Sequence, residues 1–279
     1  MIHSRVRPLA RSIALLTAAA AIALAPLTVR AAQPELCAAP PGGVPIIAPL
    51  THFAAQIDKG GPLNIVAVGS SSTAGTGASS PDMTYPSRLE VELRGIFPKL
   101  EIHVVNRGKG GEDAPEELAR LAADVVALHP DLAIWQVGTN AVLRRDDLNA
   151  DGEWMREGVD LLKRNGIDVV LMDLQYAPRV LDRPGYPAME ELIADTADHA
   201  HVGLFRRFAL MRFWQRSHAA DAPAMVGADS LHMTDAGYGC LAADLAAALE
   251  ANWRAEAKIA HRAHGATNAV AGLPAHPGR

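Results

Sequence analysis

The chain has 279 residues, 49% of them hydrophobic, with 26 basic and 31 acidic side chains and a formal charge of −5. That balance offers nothing to draw nucleic acid or an anionic membrane surface, and two cysteines are too few to make a metal site. The length suits one sizeable α/β domain.

In chain order, Arg5, Arg7 and Arg11 precede an uncharged run rich in Ala and Leu, Ser12 to Val29. This is the layout of a signal peptide, residues 1–31, with Val29-x-Ala31 supplying small residues before a cut. An uncleaved membrane anchor is the alternative, disfavoured because the run is shorter than the ~20 residues a span needs. A chain beginning near Ala32 has 22 basic and 31 acidic residues, a formal charge of −9. It is expected in the periplasm or outside the cell, with no stable membrane insertion after cleavage. Residues 32–62 form a leader, which prolines keep extended over 38–50. An exported chain meets an oxidising compartment, so Cys37 and Cys240 are expected to form one disulfide, with two buried free thiols as the alternative.

From residue 63 to 254 short apolar runs alternate with amphipathic stretches. The runs are LNIVAV (63–68), EIHVVN (101–106), LAIWQV (132–137), DVVLMD (168–173) and VGLFRRF (202–208), and they read as buried parallel strands. Between them, YPSRLEVELRGIF, PEELARLAADVVALH, EWMREGVDLLKRNG and PAMEELIADTADHA carry apolar residues at helical spacing. The alternation predicts an α/β fold, an open five-stranded parallel sheet with helices on both faces and right-handed crossovers. A last helix carries Leu241, Leu245 and Leu249 on one face. Residues 255–279, rich in Ala, His, Gly and Pro, are expected to be a disordered tail. Its His261, His264 and His276 lack a rigid frame for a metal.

In such a sheet the ligand sits beyond the carboxyl ends of the strands, where strand order reverses. Three loops lie there: GSSSTAG after the first strand, NRGKGGEDA after the second and VGTNAV after the third. The first has no lysine for a phosphate loop, and GTGASS ends in Ser80 where a dinucleotide fingerprint needs glycine. A strand before it and a helix after it also argue against a linker. A reactive hydroxyl remains. A serine needs a base to take its proton and a third group to hold that base. DSLHMTDAGYG supplies both, with Asp229 and His232 three residues apart before the last helix.

With these residues the chain resembles the SGNH (GDSL-type) hydrolases, serine esterases and acyl hydrolases on a flavodoxin-like three-layer α/β/α sheet. Four blocks match in order over residues 69–232. The resemblance implies that Ser71 is the nucleophile, with Asp229 and His232 completing a triad. It also implies that the Ser71 amide, the Gly111 amide and the Asn140 side chain form an oxyanion hole. Glycine lets the backbone approach a developing alkoxide, and an amide donates without changing charge. Two positions depart from the pattern. Ser70 stands where the family has an aspartate that could brace the loop, a task Ser70 or Ser72 could share. Ala141 replaces an aspartate that often follows the asparagine, which is expected to alter the substrate rim. A G-x-S-x-G elbow is absent, because Thr73 stands at its second glycine.

The expected activity is cleavage of a carboxylic ester through an acyl-enzyme, without metal or organic cofactor, on a small-molecule or glycan ester. Two other readings stay open: acyl transfer to a glycan alcohol, and a non-catalytic carbohydrate- or envelope-binding module on the same fold. Tyr176, Arg179 and Tyr186, after the fourth strand, are candidates for the rim of the crevice.

Overall fold

The structure is a computed structural model describing residues 37–145, 147–217 and 224–271 together with Met1. The expected signal peptide, apart from Met1, lies outside the described residues. Gln33–Arg279 form one compact unit. Its centre is a parallel sheet of β1 (Leu63–Gly69), β2 (Ile102–Gly108), β3 (Leu132–Gln136), β4 (Asp168–Met172) and β5 (Gly203–Phe205), in the order β2-β1-β3-β4-β5. The reversal falls between β1 and β3, as the α/β reading requires.

Ten helices accompany the strands among the described residues: α1 (Thr51–Lys59), α2 (Ser71–Ala74), α3 (Tyr85–Ile96), α4 (Ala114–Asp124), α5 (Thr139–Arg144), α6 (Leu148–Arg164), α7 (Pro178–Leu181), α8 (Tyr186–Ala200), α9 (Arg207–Ser217) and α10 (Asp235–Ala271). Successive strand residues face opposite layers. Ile65, Ala67 and Ile134 pack with Phe53, Leu89, Trp214 and Leu245, whereas Val66, Val68 and Trp135 pack with Leu121, Val159 and Ile193. Strands β1, β3 and β4 are therefore buried on both faces, which is why they read as continuous apolar runs, while the edge strand β2 is partly exposed.

Two expectations change. The strand expected over 202–208 ends at Phe205, and α9 begins at Arg207. The turn is set by Asp173, whose carboxylate accepts the Phe208 amide at 2.9 Å and whose carbonyl accepts the buried Arg207 guanidinium. The leader is irregular over 38–50, as its prolines predict, and then enters α1, which buries Phe53, Ala54 and Ile57. The last helix runs on to Ala271 where a disordered tail was expected. Ala, Glu, Lys and Arg after Trp253 are good helix formers, so an existing helix continues through them without a core to bury.

The leader is fixed at two points. Cys37 and Cys240 are joined by a disulfide with Cα atoms 4.8 Å apart. Buried Asn252 of α10 donates to the Ile46 and Ala48 carbonyls, each at 2.9 Å, and accepts the Leu50 amide at 3.2 Å. Among the described residues no helix is long and apolar enough to cross a membrane.

Candidate active site

At the carboxyl end of β1 the chain turns sharply into α2, so Ser71 opens a four-residue helix at the edge of the sheet. Two glycines permit the turn. Gly69 has φ +153°, and a Cβ there would lie 2.6 Å from Thr73 Oγ1 and 2.7 Å from the Gln136 carbonyl. A Cβ on Gly108, at the end of β2, would meet the Ala74 nitrogen at 2.0 Å. Only glycine lets α2 lie this close to β2 and β3. Asn106 closes the other side, its amide donating to the Thr73 carbonyl at 2.8 Å.

The loop before α10 comes to meet this turn. Asp229 Oδ1 accepts the Leu231 and His232 amides, both at 3.0 Å, a carboxylate turn that fixes the loop locally. Asp229 Oδ2 lies 2.5 Å from His232 Nδ1, and His232 Nε2 lies 2.8 Å from Ser71 Oγ. The three predicted residues therefore stand in line across 161 residues of chain. Burial pushes the Asp229 carboxyl up, but the bonds it accepts from the His232 ring and from the His232 and Leu231 amides outweigh this, so its pKa is lowered. The loop is anchored from three sides: the Arg179 amide donates to Ser230, the Tyr238 hydroxyl donates to Thr76, and Ser79 donates to Asp235 through its amide and hydroxyl.

The other two predicted residues stand on the loops after β2 and β3, where a Cβ on neighbouring Gly110 would come within 3.9 Å of Ser71 Cβ. Gly111 is exposed and has φ +84°, and a Cβ on it would meet nothing within 4 Å. Asn140, in the first turn of α5, donates from Nδ2 to the Glu112 carbonyl at 2.6 Å, which links the loops after β2 and β3. Arg144 donates to the Gly111 carbonyl. Below Asn140, Thr139 donates to Gln175 Oε1 at 2.9 Å, and the buried Arg207 donates to the same oxygen at 2.9 Å. Glu190 and Asp173 lie beside this arginine, and burial pushes both carboxyls up.

Several supporting residues were not singled out from sequence. Arg120 donates to the Gly69 carbonyl at 3.1 Å, to the Arg107 carbonyl at 2.8 Å and to Glu112 at 2.5 Å, tying β1 and β2 to the Gly111 loop. Gln136 contacts Ser70 and Thr73 from beneath. Each acts across the sheet from an ordinary local context, so no short motif announces it.

Of the candidate rim residues, two are partly buried and one is exposed. Tyr176 and Tyr186 both pack on Phe208, with ring centroids at 5.1 and 5.4 Å, and are half-buried by that contact. Arg179 is exposed. Ala141 is fully buried and belongs to the wall of a cavity of about 230 Å³, with Val142, Leu148 and Arg183, rather than to an open rim. Among the described residues no three His, Cys, Asp or Glu side chains gather where they could hold a metal.

Comparison with known proteins gives one family and a set of similar folds. The model of the non-GDSL lipase-like family matches residues 36–254. An acetylxylan esterase from Geobacillus stearothermophilus is 39% identical over 56 residues, which cover 20% of this chain and only 26% of that enzyme. A two-domain esterase active on acetylated mannans, crystallised with mannopentaose, is similar with a TM-score of 0.61 at 21% identity, over 77% of this chain and 56% of that one. A catalytic mutant of Axe2, an acetylxylan esterase from G. stearothermophilus, with a serine replaced by alanine, gives a TM-score of 0.57 at 21% identity, over 67% of this chain and 94% of that one.

Proposed function

The chain belongs to the non-GDSL lipase-like family, and from that membership we propose that it is an exported serine esterase of the SGNH type, acting on an O-acetylated glycan. The observation that carries the reading is the relay from Ser71 Oγ to His232 Nε2 at 2.8 Å and from His232 Nδ1 to Asp229 Oδ2 at 2.5 Å. The family's description suits a chain that reads Gly69-Ser70-Ser71 rather than Gly-Asp-Ser. The substrate class is suggested by the esterases of similar fold, which act on acetylated xylan and mannan. Export rests on the N-terminal sequence, and the Cys37–Cys240 disulfide is compatible with it.

In the proposed mechanism His232 Nε2 takes the Ser71 proton as Oγ attacks the ester carbonyl. The Ser71 and Gly111 amides and the Asn140 side chain donate to the oxyanion. Collapse of the tetrahedral intermediate breaks the ester bond, and His232 returns the proton to the leaving sugar hydroxyl. Water, deprotonated by His232, then attacks the acyl-Ser71 ester, releases the carboxylate and restores the serine. Asp229, ionised because its pKa is lowered, holds the ring by its Nδ1–H and balances the imidazolium.

The test is acetate release from acetylated xylo- and manno-oligosaccharides and from 4-nitrophenyl acetate. The wild-type protein is expected to hydrolyse at least one glycan and the synthetic ester, and Ser71→Ala and His232→Ala to lower kcat by roughly 10⁴-fold or more. Folded wild-type protein without turnover, or a Ser71→Ala variant at the wild-type rate, contradicts the proposal.

A further inference from the structure

Gln136 is an unexpected residue for its position. It ends β3, a strand paired on both sides, stands opposite Gly69 in register and is 1% exposed. A buried amide needs partners; Nε2 of Gln136 has none among the described residues, and those of Oε1 all lie in one place. Its Oε1 accepts the Ser70 amide at 3.1 Å, the Ser70 hydroxyl at 3.1 Å and the Thr73 hydroxyl at 3.2 Å.

The direction of these bonds follows from the groups. A main-chain N–H can only donate, so Oε1 rather than Nε2 faces the loop, and both hydroxyls donate to that same oxygen. Thr73, having donated its proton, accepts from the Tyr85 hydroxyl at 3.1 Å. Burial pushes Tyr85 up to about 12, so near neutral pH the phenol keeps the proton that it gives in this order. One oxygen on the sheet thus holds the residue before Ser71 and the residue two after it. Ser71 itself is left out, its hydroxyl free to meet His232.

We infer that Gln136 is a positioning residue for the nucleophile: it clamps residues 70–73 to β3 and thereby aims the Ser71 hydroxyl at His232 and the Ser71 amide at the oxyanion. The inference rests on the serine-esterase reading and deepens it. It also accounts for Ser70, whose side chain completes the clamp by donating to the glutamine. A buried amide that merely filled space would affect stability; a clamp affects the reactivity of one oxygen.

The experiment compares wild type, Gln136→Leu and Gln136→Glu, each corrected for folded fraction. Two quantities are read: kcat and KM on 4-nitrophenyl acetate, and the rate of fluorophosphonate labelling at Ser71, located by peptide mass. Loss of the clamp in Gln136→Leu is expected to lower kcat and the labelling rate together by roughly 10²-fold, with KM nearly unchanged, the size of effect that small misplacement produces. Gln136→Glu keeps an acceptor oxygen at the same reach and is expected to recover most of both rates. Labelling and kcat at wild-type level in Gln136→Leu, or equal losses in the two variants, overturn the inference. Should Gln136→Leu fail to fold, Thr73→Val removes one donor and leaves two. A slower labelling rate then supports the clamp, and an unchanged one overturns it. A wild-type protein that is not labelled at Ser71 overturns the esterase reading itself.

Discussion

Asn140 gives one amide hydrogen to the Glu112 carbonyl at 2.6 Å, which fixes the plane of its amide and leaves the second hydrogen for a ligand. If that hydrogen meets a developing oxyanion, Asn140→Ala should lower kcat by roughly 10²- to 10³-fold with little change in KM, as loss of one oxyanion donor does elsewhere. Steady-state kinetics on 4-nitrophenyl acetate checks this, and a variant that raises KM alone would place the asparagine in substrate binding instead. At this scale the relay was legible because Asp229 and His232 are three residues apart and bind each other through a local turn. The serine loop was legible because small residues follow an apolar strand, and Ser71 within it was singled out by the resemblance to the SGNH hydrolases. The supporting residues were not. Gln136, Asn106 and Arg120 reach the nucleophile turn across 66, 33 and 51 residues, and each stands in a strand or helix whose local pattern is complete without it.

Among the elements, α4 contains a second buried carboxyl whose behaviour is testable. Asp113 and Glu116 form a capping box at its start, and Glu117 turns inward to accept the Trp135 indole N–H of β3 at 2.7 Å. Burial pushes Glu117 from 4.5 up to about 8. Folded protein therefore holds a proton that unfolded chain has shed between pH 4.5 and about 8, so this group lowers stability as pH rises across that window. Glu117→Gln keeps an acceptor for Trp135 and removes the titration. Its urea midpoint should match wild type near pH 4.5 and exceed it at pH 8; an unchanged difference between the two pH values would contradict this. Strands β1, β3 and β4 were legible because burial on both faces leaves little but apolar residues in them, and the partly exposed β2 by its short apolar core. The end of β5 was not, since Phe208 resumes the apolar pattern after two arginines and only the distant Asp173 turns the chain. The far end of α10 was misread because its composition, which cannot bury a core, can still carry a helix.

In the whole molecule, the sheet order brings the carboxyl ends of β1, β2 and β3 together, and the elements outside the sheet hold the remaining pieces to them. The disulfide joins residues 203 apart and ties the leader to α10, the helix that follows the Asp229–His232 loop. In the chain-entropy view a closure of that length stabilises by up to ~5 kcal/mol. This arrangement followed from two cysteines and an expected oxidising compartment, whereas the Asn252 clamp on the leader had no local signal. The central claim is that the fold assembles one activated serine at the reversal point of the sheet. Peptide mass mapping of wild-type protein after reaction with a fluorophosphonate tests it most directly. The account predicts a single adduct on Ser71 that is lost in His232→Ala; an adduct on Ser70, Ser72 or another residue, with Ser71 unmodified, would contradict it.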